Sequence, residues 1–384
     1  MKTVLPKHEF QEALSAVSTL AGGRTPKPIL NCVKLTAAGE TVELAATDGE
    51  AGLRVVVTAL EVEQSGQVVV PADRLLGVVR ETEDVELALH ADERSCVLRG
   101  RGSKFEIYAA NAADFPPVPG FGEETDFVLD GRELRRMVSL TLYAAAKESS
   151  RYAINGVLWE KQGRKLFMVA TDGRRLARAG GSLSEPGSGD FKAILPVKAL
   201  AVFQATFLPP RERGAGDAGR TGEQHPGDLW PVDVKVMPNQ VLFRSGTRTL
   251  STVLVEGHFP NYREVIPESG SRKARLPREE FHKAVRRAAL MTTEDSRAVR
   301  LRFSAERLVV ASRAPEHGEA EVELPVHYEG QPLEISFNPA FLSDALRVMS
   351  CEEVCLELQE NFRPGVLSGG DRSEFLYVVM PVSV

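Results

Sequence analysis

The sequence predicts an α+β protein built from about three tandem copies of one helix/antiparallel-sheet module. Three observations predict it. The chain duplicates itself: Ala46-Thr47-Asp48-Gly49 returns as Ala170-Thr171-Asp172-Gly173, and Asn31 returns as Asn155, both displaced by 124 residues. A fixed displacement of this kind is the signature of a repeated structural unit. Strand-like runs alternate polar and apolar, as in Lys104-Phe105-Glu106-Ile107 and Glu321-Val322-Glu323-Leu324. That period suits a sheet with one wet face and favours antiparallel pairing. Finally, Val70-Pro71 and Leu195-Pro196 each close a strand-like run ahead of an apolar-periodic stretch, which reads as a helix with Pro in its first turn.

The elements follow in order. Leu5-Pro6-Lys7-His8-Glu9-Phe10 opens the first helix, and Leu276-Pro277-Arg278-Glu279-Glu280-Phe281 echoes it at the start of a third copy. Strands over Asn31–Leu35 and Val42–Ala45 lead to the first Thr-Asp-Gly; Asn155–Trp159 and Lys165–Val169 lead to the second. Pro71 and Pro196 start the second helices, and Phe337-Asn338-Pro339-Ala340-Phe341-Leu342 takes that place in the third copy. The copies close on Asp114-Phe115-Pro116, His258-Phe259-Pro260 and Val378-Val379-Met380-Pro381. Between Pro116 and Pro260 the displacement has grown to 144 residues, and the added residues fall in Arg211–Gly227, a Gly/Arg/Asp/Pro-rich stretch that reads as a mobile loop. Thr-Asp-Gly has no third copy; Ser312-Arg313-Ala314 lies near its place. The boundaries expected are 1–124, 125–270 with the insert at about 211–227, and 271–384.

A chain of 384 residues exceeds what one core of about 250–300 residues sustains. With 43% apolar and 26% charged residues it has the composition of a soluble globular protein. No apolar stretch approaches the roughly 18–20 residues of a membrane span. Met1-Lys2-Thr3-Val4-Leu5-Pro6-Lys7 has no apolar secretory core, so a cytoplasmic protein is expected. Cys32, Cys96, Cys351 and Cys355 are too few and scattered for a disulfide framework. Cys351 and Cys355 have no second Cys/His pair nearby, so buried thiols are expected and neither metal nor cofactor.

A net charge of −6 argues against a protein coated in basic surface. The distribution is uneven. Arg132, Arg135 and Arg136 cluster on one predicted helix; Arg278, His282, Lys283, Arg286 and Arg287 cluster on another, after Arg272, Lys273 and Arg275. The Pro-started helices carry Arg74 and Arg80, Lys198, and Arg347. Acid gathers at 81–86, 123–126 and 316–323. Two readings stand: helices that track phosphates without reading bases, or ordinary solvated helix faces. No phosphate loop, nucleophile elbow or HExxH is present, and no GxGxxG opens a helix. Asp48 and Asp172 are read as tight-turn residues, because Asp-Gly at a strand end is a turn dipeptide.

With the repeats in hand, the chain resembles the beta sliding clamp family of the bacterial replicative DNA polymerase. The resemblance is carried by Gly22-Gly23-Arg24-Thr25-Pro26-Lys27-Pro28-Ile29-Leu30, Ala112-Ala113-Asp114-Phe115-Pro116, Ser150-Arg151-Tyr152-Ala153-Ile154-Asn155-Gly156-Val157-Leu158, Ala170–Ala177, Phe259-Pro260-Asn261-Tyr262-Arg263-Glu264-Val265-Ile266-Pro267 and Tyr377–Pro381, in order along the whole chain. It implies a DNA clamp fold whose head-to-tail homodimer closes a ring with helices inside, no enzymatic activity, and double-stranded DNA, a clamp loader, the replicative polymerase and other peptide-bearing proteins as partners. Arg24, Arg151 and Tyr152 match family positions that approach DNA; Arg135, Arg136, Lys198, Arg286 and Arg287 are added from charge and placement. The implied peptide pocket comprises Ile154, Thr171, Gly173, Arg174, Arg175, Leu176, Pro260, Val265, Asn338, Phe341, Phe362, Val378, Val379, Met380 and Pro381. At the ring joint, Lys104, Phe105 and Ile107 should meet Leu290 and Met291, with Arg74 and Lys104 pairing near Glu319 and Glu321. The sequence departs from the family pattern at Arg174, Glu264, Ser296 and the tail Val382-Ser383-Val384, which puts the peptide preference in question. The alternatives from other classes are an enzyme or ligand-binding protein with its site beside Thr171, and a structural repeat scaffold.

Overall fold

The computed structural model describes residues 1–23, 25–148, 152–209, 230–268, 270–293, 298–315 and 318–382. One order of elements is run through three times. The first round is a strand (Lys2–Pro6), α1 (Lys7–Ala21), a meander (Cys32–Ala38, Thr41–Thr47, Ala51–Thr58), a strand (Gly66–Pro71), α2 (Ala72–Glu81) and three strands (Glu86–Ala91, Ser95–Gly100, Ser103–Tyr108). The second is Phe127–Asp130, α3 (Gly131–Thr141), the meander Gly156–Gln162, Lys165–Thr171 and Arg175–Ser182, then Phe191–Pro196, α4 (Val197–Thr206), Pro231–Val236, Gln240–Ser245 and Arg248–Val253. The third is Arg272–Pro277, α5 (Arg278–Ala289), the meander Val299–Ser304, Arg307–Ala314 and Gly318–Pro325, then Leu333–Phe337, α6 (Pro339–Val348), Glu353–Leu358, Gly365–Ser368 and Phe375–Val379.

The registers repeat as well. The strand ahead of each first helix pairs with the strand after the second: Leu5 opposite Leu87, Leu129 opposite Val232, Leu276 opposite Val354. The strand before each second helix pairs with the head of the meander: Val33 opposite Val70, Val157 opposite Leu195, Val299 opposite Phe337. The third copy, faint in residue identities, is therefore plain in topology. Its meander hairpin runs straight through Ser312-Arg313-Ala314, where the other copies make their Thr-Asp-Gly turn.

Packing groups the chain into two compact units: Met1–Arg132 with Leu183–Ser188 and Lys198–Leu254, and Glu133–Ser182 with Gly189–Val197 and Val255–Val384. The expected segments 1–124, 125–270 and 271–384 divide the chain by duplication; the units divide it by which sheets are continuous. In the first unit Ala51–Thr58 pairs with Arg248–Val253, Leu53 opposite Leu250, giving an eight-stranded sheet. In the second, Arg175–Ser182 pairs with Phe375–Val379, Leu176 opposite Val378, giving a nine-stranded sheet. Each unit holds one further sheet, of five and of four strands, and these end on the edge strands Ser103–Tyr108 and Gly318–Pro325.

In the first unit α1 buries Phe10, Ala13, Leu14, Val17 and Leu20, a helical stripe, and packs against α2. In the second, α5 buries Phe281, Ala284, Val285 and Ala288 and packs against α6. Each unit has one buried tryptophan, Trp230 and Trp159 respectively. Gly131 accepts no side chain, because a Cβ there would lie 2.4 Å from the Trp230 ring.

One local expectation changes. Pro6, Pro71 and Pro277 sit at the N-cap, one place before the helix, whereas Pro339 lies inside a first turn, behind the Asn338 cap. The proline closes the strand it ends, and the helix starts on the next residue. Cys32 and Cys96 are buried as expected, whereas Cys351 and Cys355 are half-buried. Among the described residues no helix is long and apolar enough to cross a membrane, and no three metal-ligating side chains converge. The insert at 211–227 lies outside the described residues.

Candidate functional site: an apolar cleft beside the second Thr-Asp-Gly turn

The two Thr-Asp-Gly segments fold alike. The Thr171 hydroxyl donates to the carbonyl of Arg175 (2.6 Å) and accepts from the Gly173 amide (3.1 Å), while Asp172 Oδ1 accepts from the amides of Arg174 and Arg175 (3.0 and 3.1 Å). In the first unit Thr47 does the same with Ala51 and Gly49 (2.7 and 3.0 Å), and Asp48 with Glu50 and Ala51 (2.9 and 2.8 Å). Gly49 and Gly173 have φ of +97° and +86°, which a side chain would strain. Both aspartates hold a turn, as the duplication suggested.

Beside the second turn lies a cleft of about 240 Å³ in the second unit. Leu176, Val378, Ile154 and Pro260 form apolar walls over a core that includes Leu158, Val169, Val366 and Leu376. Tyr152, Val265 and Met380 line it while remaining 46%, 54% and 42% exposed. Large apolar groups left in solvent around a concave apolar surface mark a docking site for another molecule. The cleft also takes in Thr171, Gly173, Arg174 and Arg175, and Met380 N donates to Arg174 O (2.9 Å), fixing the end of the last strand against the turn.

Two polar clusters hold this wall. The Arg175 side chain is only 11% exposed. It donates to Asp172 Oδ2 (2.9 Å), Asp344 Oδ2 (2.8 Å) and the Tyr143 carbonyl (2.7 Å), and its guanidinium lies 4.5 Å from the Phe341 ring centroid. Burial alone would disfavour its charge; the Asp344 and Asp172 contacts overcome this and keep it firmly protonated. Arg175 is thus fully engaged within the protein. On the other side Tyr262 donates to Glu160 Oε2 (2.6 Å), which also receives Arg263 (3.0 Å), while Glu160 Oε1 pairs with Lys192 (3.1 Å). Burial would raise the Glu160 pKa, but the Tyr262, Lys192 and Arg263 contacts bring it below the usual carboxylate range. Burial and that same carboxylate push Tyr262 up to about 12.

Of the residues expected at the pocket, Ile154, Thr171, Gly173, Arg174, Arg175, Leu176, Pro260, Val265, Val378 and Met380 line the cleft. Val379 does not: strand alternation turns it into the core opposite Val378. Asn338 caps α6, its Oδ1 accepting from Ala340 N (2.9 Å), and Phe341 stacks on Arg175 behind the wall. Phe362 and Pro381 line a neighbouring cleft of about 300 Å³ that meets the first only at Met380. Tyr152, assigned to DNA, lines the first cleft as well. Sequence reasoning left out Asn261 and Tyr262; the Phe-Pro-Asn-Tyr run following a strand was the available signal.

Among the basic residues assigned to DNA, Arg286 and Arg287 are exposed on α5 and make no ion pair among the described residues. Arg135 is half-buried on α3. Arg136 is partly engaged by the fold: through Nε and Nη2 it forks onto Glu133 (2.8 and 2.7 Å) and donates to Gly180 O (2.8 Å). Lys198 is ion-paired with Asp48. Arg24 and Arg151, like Ser296, lie outside the described residues. Among residues assigned to a joint, Leu290, Phe105, Lys104, Arg74, Glu319 and Glu321 are exposed, and Met291 is half-exposed. Glu321 pairs with Arg302. Ile107 is corrected: at 8% exposure it points into the core, and Tyr108, 80% exposed, is the large side chain that its strand turns outward.

Three models of consecutive domains match the chain: the N-terminal domain of the DNA polymerase III beta subunit over residues 1–119, its central domain over 128–207 and its C-terminal domain over 263–383. The beta sliding clamp of Chlamydia muridarum is 30% identical over 386 residues, covering all of this chain and 99% of its own. That of Salmonella typhimurium is 30% identical over the full length of both. The crystal structure of DNA polymerase III subunit beta from Pseudomonas aeruginosa superposes with a TM-score of 0.89 at 27% identity, over the full length of both chains.

Proposed function

The chain belongs to the DNA polymerase III beta subunit family, the beta sliding clamps, and from that premise we propose that it is a processivity factor that encircles duplex DNA and tethers a polymerase to it through the cleft of the second unit. Such a protein catalyses nothing: it works by topology and tethering. The observation that carries the tethering is the cleft itself, apolar, ringed by exposed Tyr152, Val265 and Met380, and with its one deeply held cation already neutralised. A site for chemistry would need convergent groups free to react, and Asp172 and Arg175 are occupied by the turn and by each other. A short peptide with bulky apolar anchors fits these walls, as in other small grooves that hold linear motifs. The polymerase, a clamp loader and other proteins carrying such a peptide are the proposed partners, in the cytoplasm.

Contact with DNA rests on charge rather than base reading. Arg286 and Arg287, exposed on α5, suit phosphates, and a lumen of this kind coexists with a net charge of −6. Ring closure by a head-to-tail homodimer is supported by the edge strands Ser103–Tyr108 and Gly318–Pro325, whose unpaired backbone groups need covering. Phe105, Tyr108 and Leu290 are the apolar side chains poised for that joint. Charging Leu290 and Met291 together (Leu290→Asp, Met291→Asp) should give a monomer in light scattering; an unchanged dimer mass would remove them from the joint.

The decisive experiment is topological. The protein is loaded by a cognate clamp loader with ATP onto nicked circular DNA and washed in high salt, and the circle is then cut. Phosphate contacts alone weaken steeply with salt, so retention on the circle followed by loss from the linear form is expected of a closed ring. Loss during the wash refutes encirclement.

A further inference from the structure

We propose that His282 is a phosphate contact on α5 that takes up a proton as DNA arrives, so that the hold on DNA is linked to pH. This rests on the reading of α5 as a phosphate-facing helix, and it adds to that reading a residue and a regulation.

His282 stands one helical turn from Arg278 on one side and from Arg286 on the other, along a single stripe of α5. It is half-buried and makes no hydrogen bond or ion pair among the described residues. The charges that act on it are all positive: Arg286 and Arg278 on its own helix, and Arg347 on α6, which packs against α5. Arg278 donates to the carbonyls of Cys351 and Leu346 (both 3.0 Å), groups that carry no charge to offset its own.

The nearby acids are turned elsewhere. On α5, Glu279 pairs with Lys283 (2.8 Å), and Glu280, two residues from His282, lies on another side of the helix. On α6, Asp344 pairs with Arg347 (3.1 Å) and Arg175 (2.8 Å). The strands beneath α5 bury Leu276, Leu301, Val310 and Val322, while charged residues of the same strands, from Lys273 and Arg275 to Glu321 and Glu323, alternate onto the other face.

A histidine so placed stays neutral at neutral pH. Burial disfavours its charged form, and the three guanidinium groups disfavour it further. Phosphates lying over Arg286 reverse the second effect, because they offset the charge that repels a proton. The imidazolium that then forms is one more charged donor to them. A lysine in that place would carry its charge at all times; a histidine carries it where a phosphate is present to receive it.

The test uses the full chain and a short fluorescein-labelled duplex of random sequence, followed by fluorescence anisotropy at low salt. The wild type should bind about tenfold more tightly at about pH 5.5 than at about pH 8, and the log–log slope of affinity against salt should steepen by about one over that range. Titration calorimetry at about pH 7, in two buffers of different ionisation heat, should register proton uptake on binding. His282→Gln should lose the uptake and the tightening. His282→Lys should bind at about pH 8 as tightly as the wild type does at about pH 5.5. If His282→Gln keeps the tightening and the uptake, the titrating group lies elsewhere and the proposal is overturned. Binding by the wild type that does not change with pH also overturns it and leaves the DNA reading standing. Failure of the duplex to bind at any pH removes the DNA reading of α5 and the proposal together.

Discussion

The turns at Thr47-Asp48-Gly49 and Thr171-Asp172-Gly173 share a backbone and differ in what lies over them. In the first unit the strand leaving the turn begins Ala51-Gly52, and Gly52 is paired with Ser251. Val118 packs straight onto that pair: a Cβ on Gly52 would stand 2.6 Å from Val118 Cγ1. In the second unit the corresponding residues are Arg175-Leu176, with Leu176 paired to Val378. Tyr262 takes the position of Val118, but its hydroxyl is drawn to Glu160 and the space over Leu176 and Val378 stays open. Duplication supplied the scaffold twice; small residues with a valine lid close one copy, and large residues with a tethered tyrosine leave the other open. Function followed the side chains laid on the turn, not the turn.

The comparison can be broken most severely at Arg175. Arg175→Ala strips a buried cation from Asp172 and Asp344 and should destabilise the second unit by about 3 kcal/mol. Denaturation followed by Trp159 fluorescence in a Trp230→Phe background reads that unit alone; an unchanged midpoint would mean the cluster is dispensable. Overfilling the closed site comes next. Gly52→Leu forces a side chain into Val118 and should cost about 1–3 kcal/mol, read by Trp230 in a Trp159→Phe background, while peptide binding in the other unit is unchanged.

A smaller effect is expected at Glu160. Its folded pKa is depressed, so its contribution is complete above the ordinary carboxylate range and is lost as pH falls through the lower, folded value. Peptide affinity should fall over that acidic window as Tyr262 loosens. Glu160→Gln should remove the pH dependence and weaken binding by about 1 kcal/mol at neutral pH; a pH profile identical in wild type and variant would exclude Glu160 from holding the wall. The least effect belongs to Lys198→Ala. The Lys198–Asp48 pair is half in solvent, and its removal should cost at most about 1 kcal/mol of first-unit stability, against the much larger loss at Arg175.

What could be read from residues alone were features that repeat or alternate. Thr-Asp-Gly gave the turn, the fixed displacement gave the module, and strand alternation gave the sheets. The cleft's apolar walls were also legible, because Leu176, Val265 and Met380 follow from the family resemblance. What escaped depends on which way a side chain faces once strands from distant segments pair. Val379 and Ile107 are apolar strand residues beside exposed neighbours, and only the register places them inward. Arg136 and Arg175 look like free cations in a sequence, yet Glu133 is three residues away on the same helix and Asp344 is brought in from α6. Tyr262 was part of a recognised run, but its tie to Glu160 spans 102 residues and has no local signal.

The pairing of Arg175–Ser182 with Phe375–Val379 has a consequence for synthesis. The segments that meet there are far apart in the chain; Arg178 touches the Arg372 carbonyl across 194 residues. Leu176 emerges from the ribosome long before Val378 and Met380, and until they arrive the nine-stranded sheet is missing an interior strand and the cleft lacks a wall. A nascent chain stalled short of Phe375 would therefore expose the edge of Arg175–Ser182 and leave the cleft without the wall that Val378 and Met380 supply. The cleft is therefore complete only once the last strand has paired.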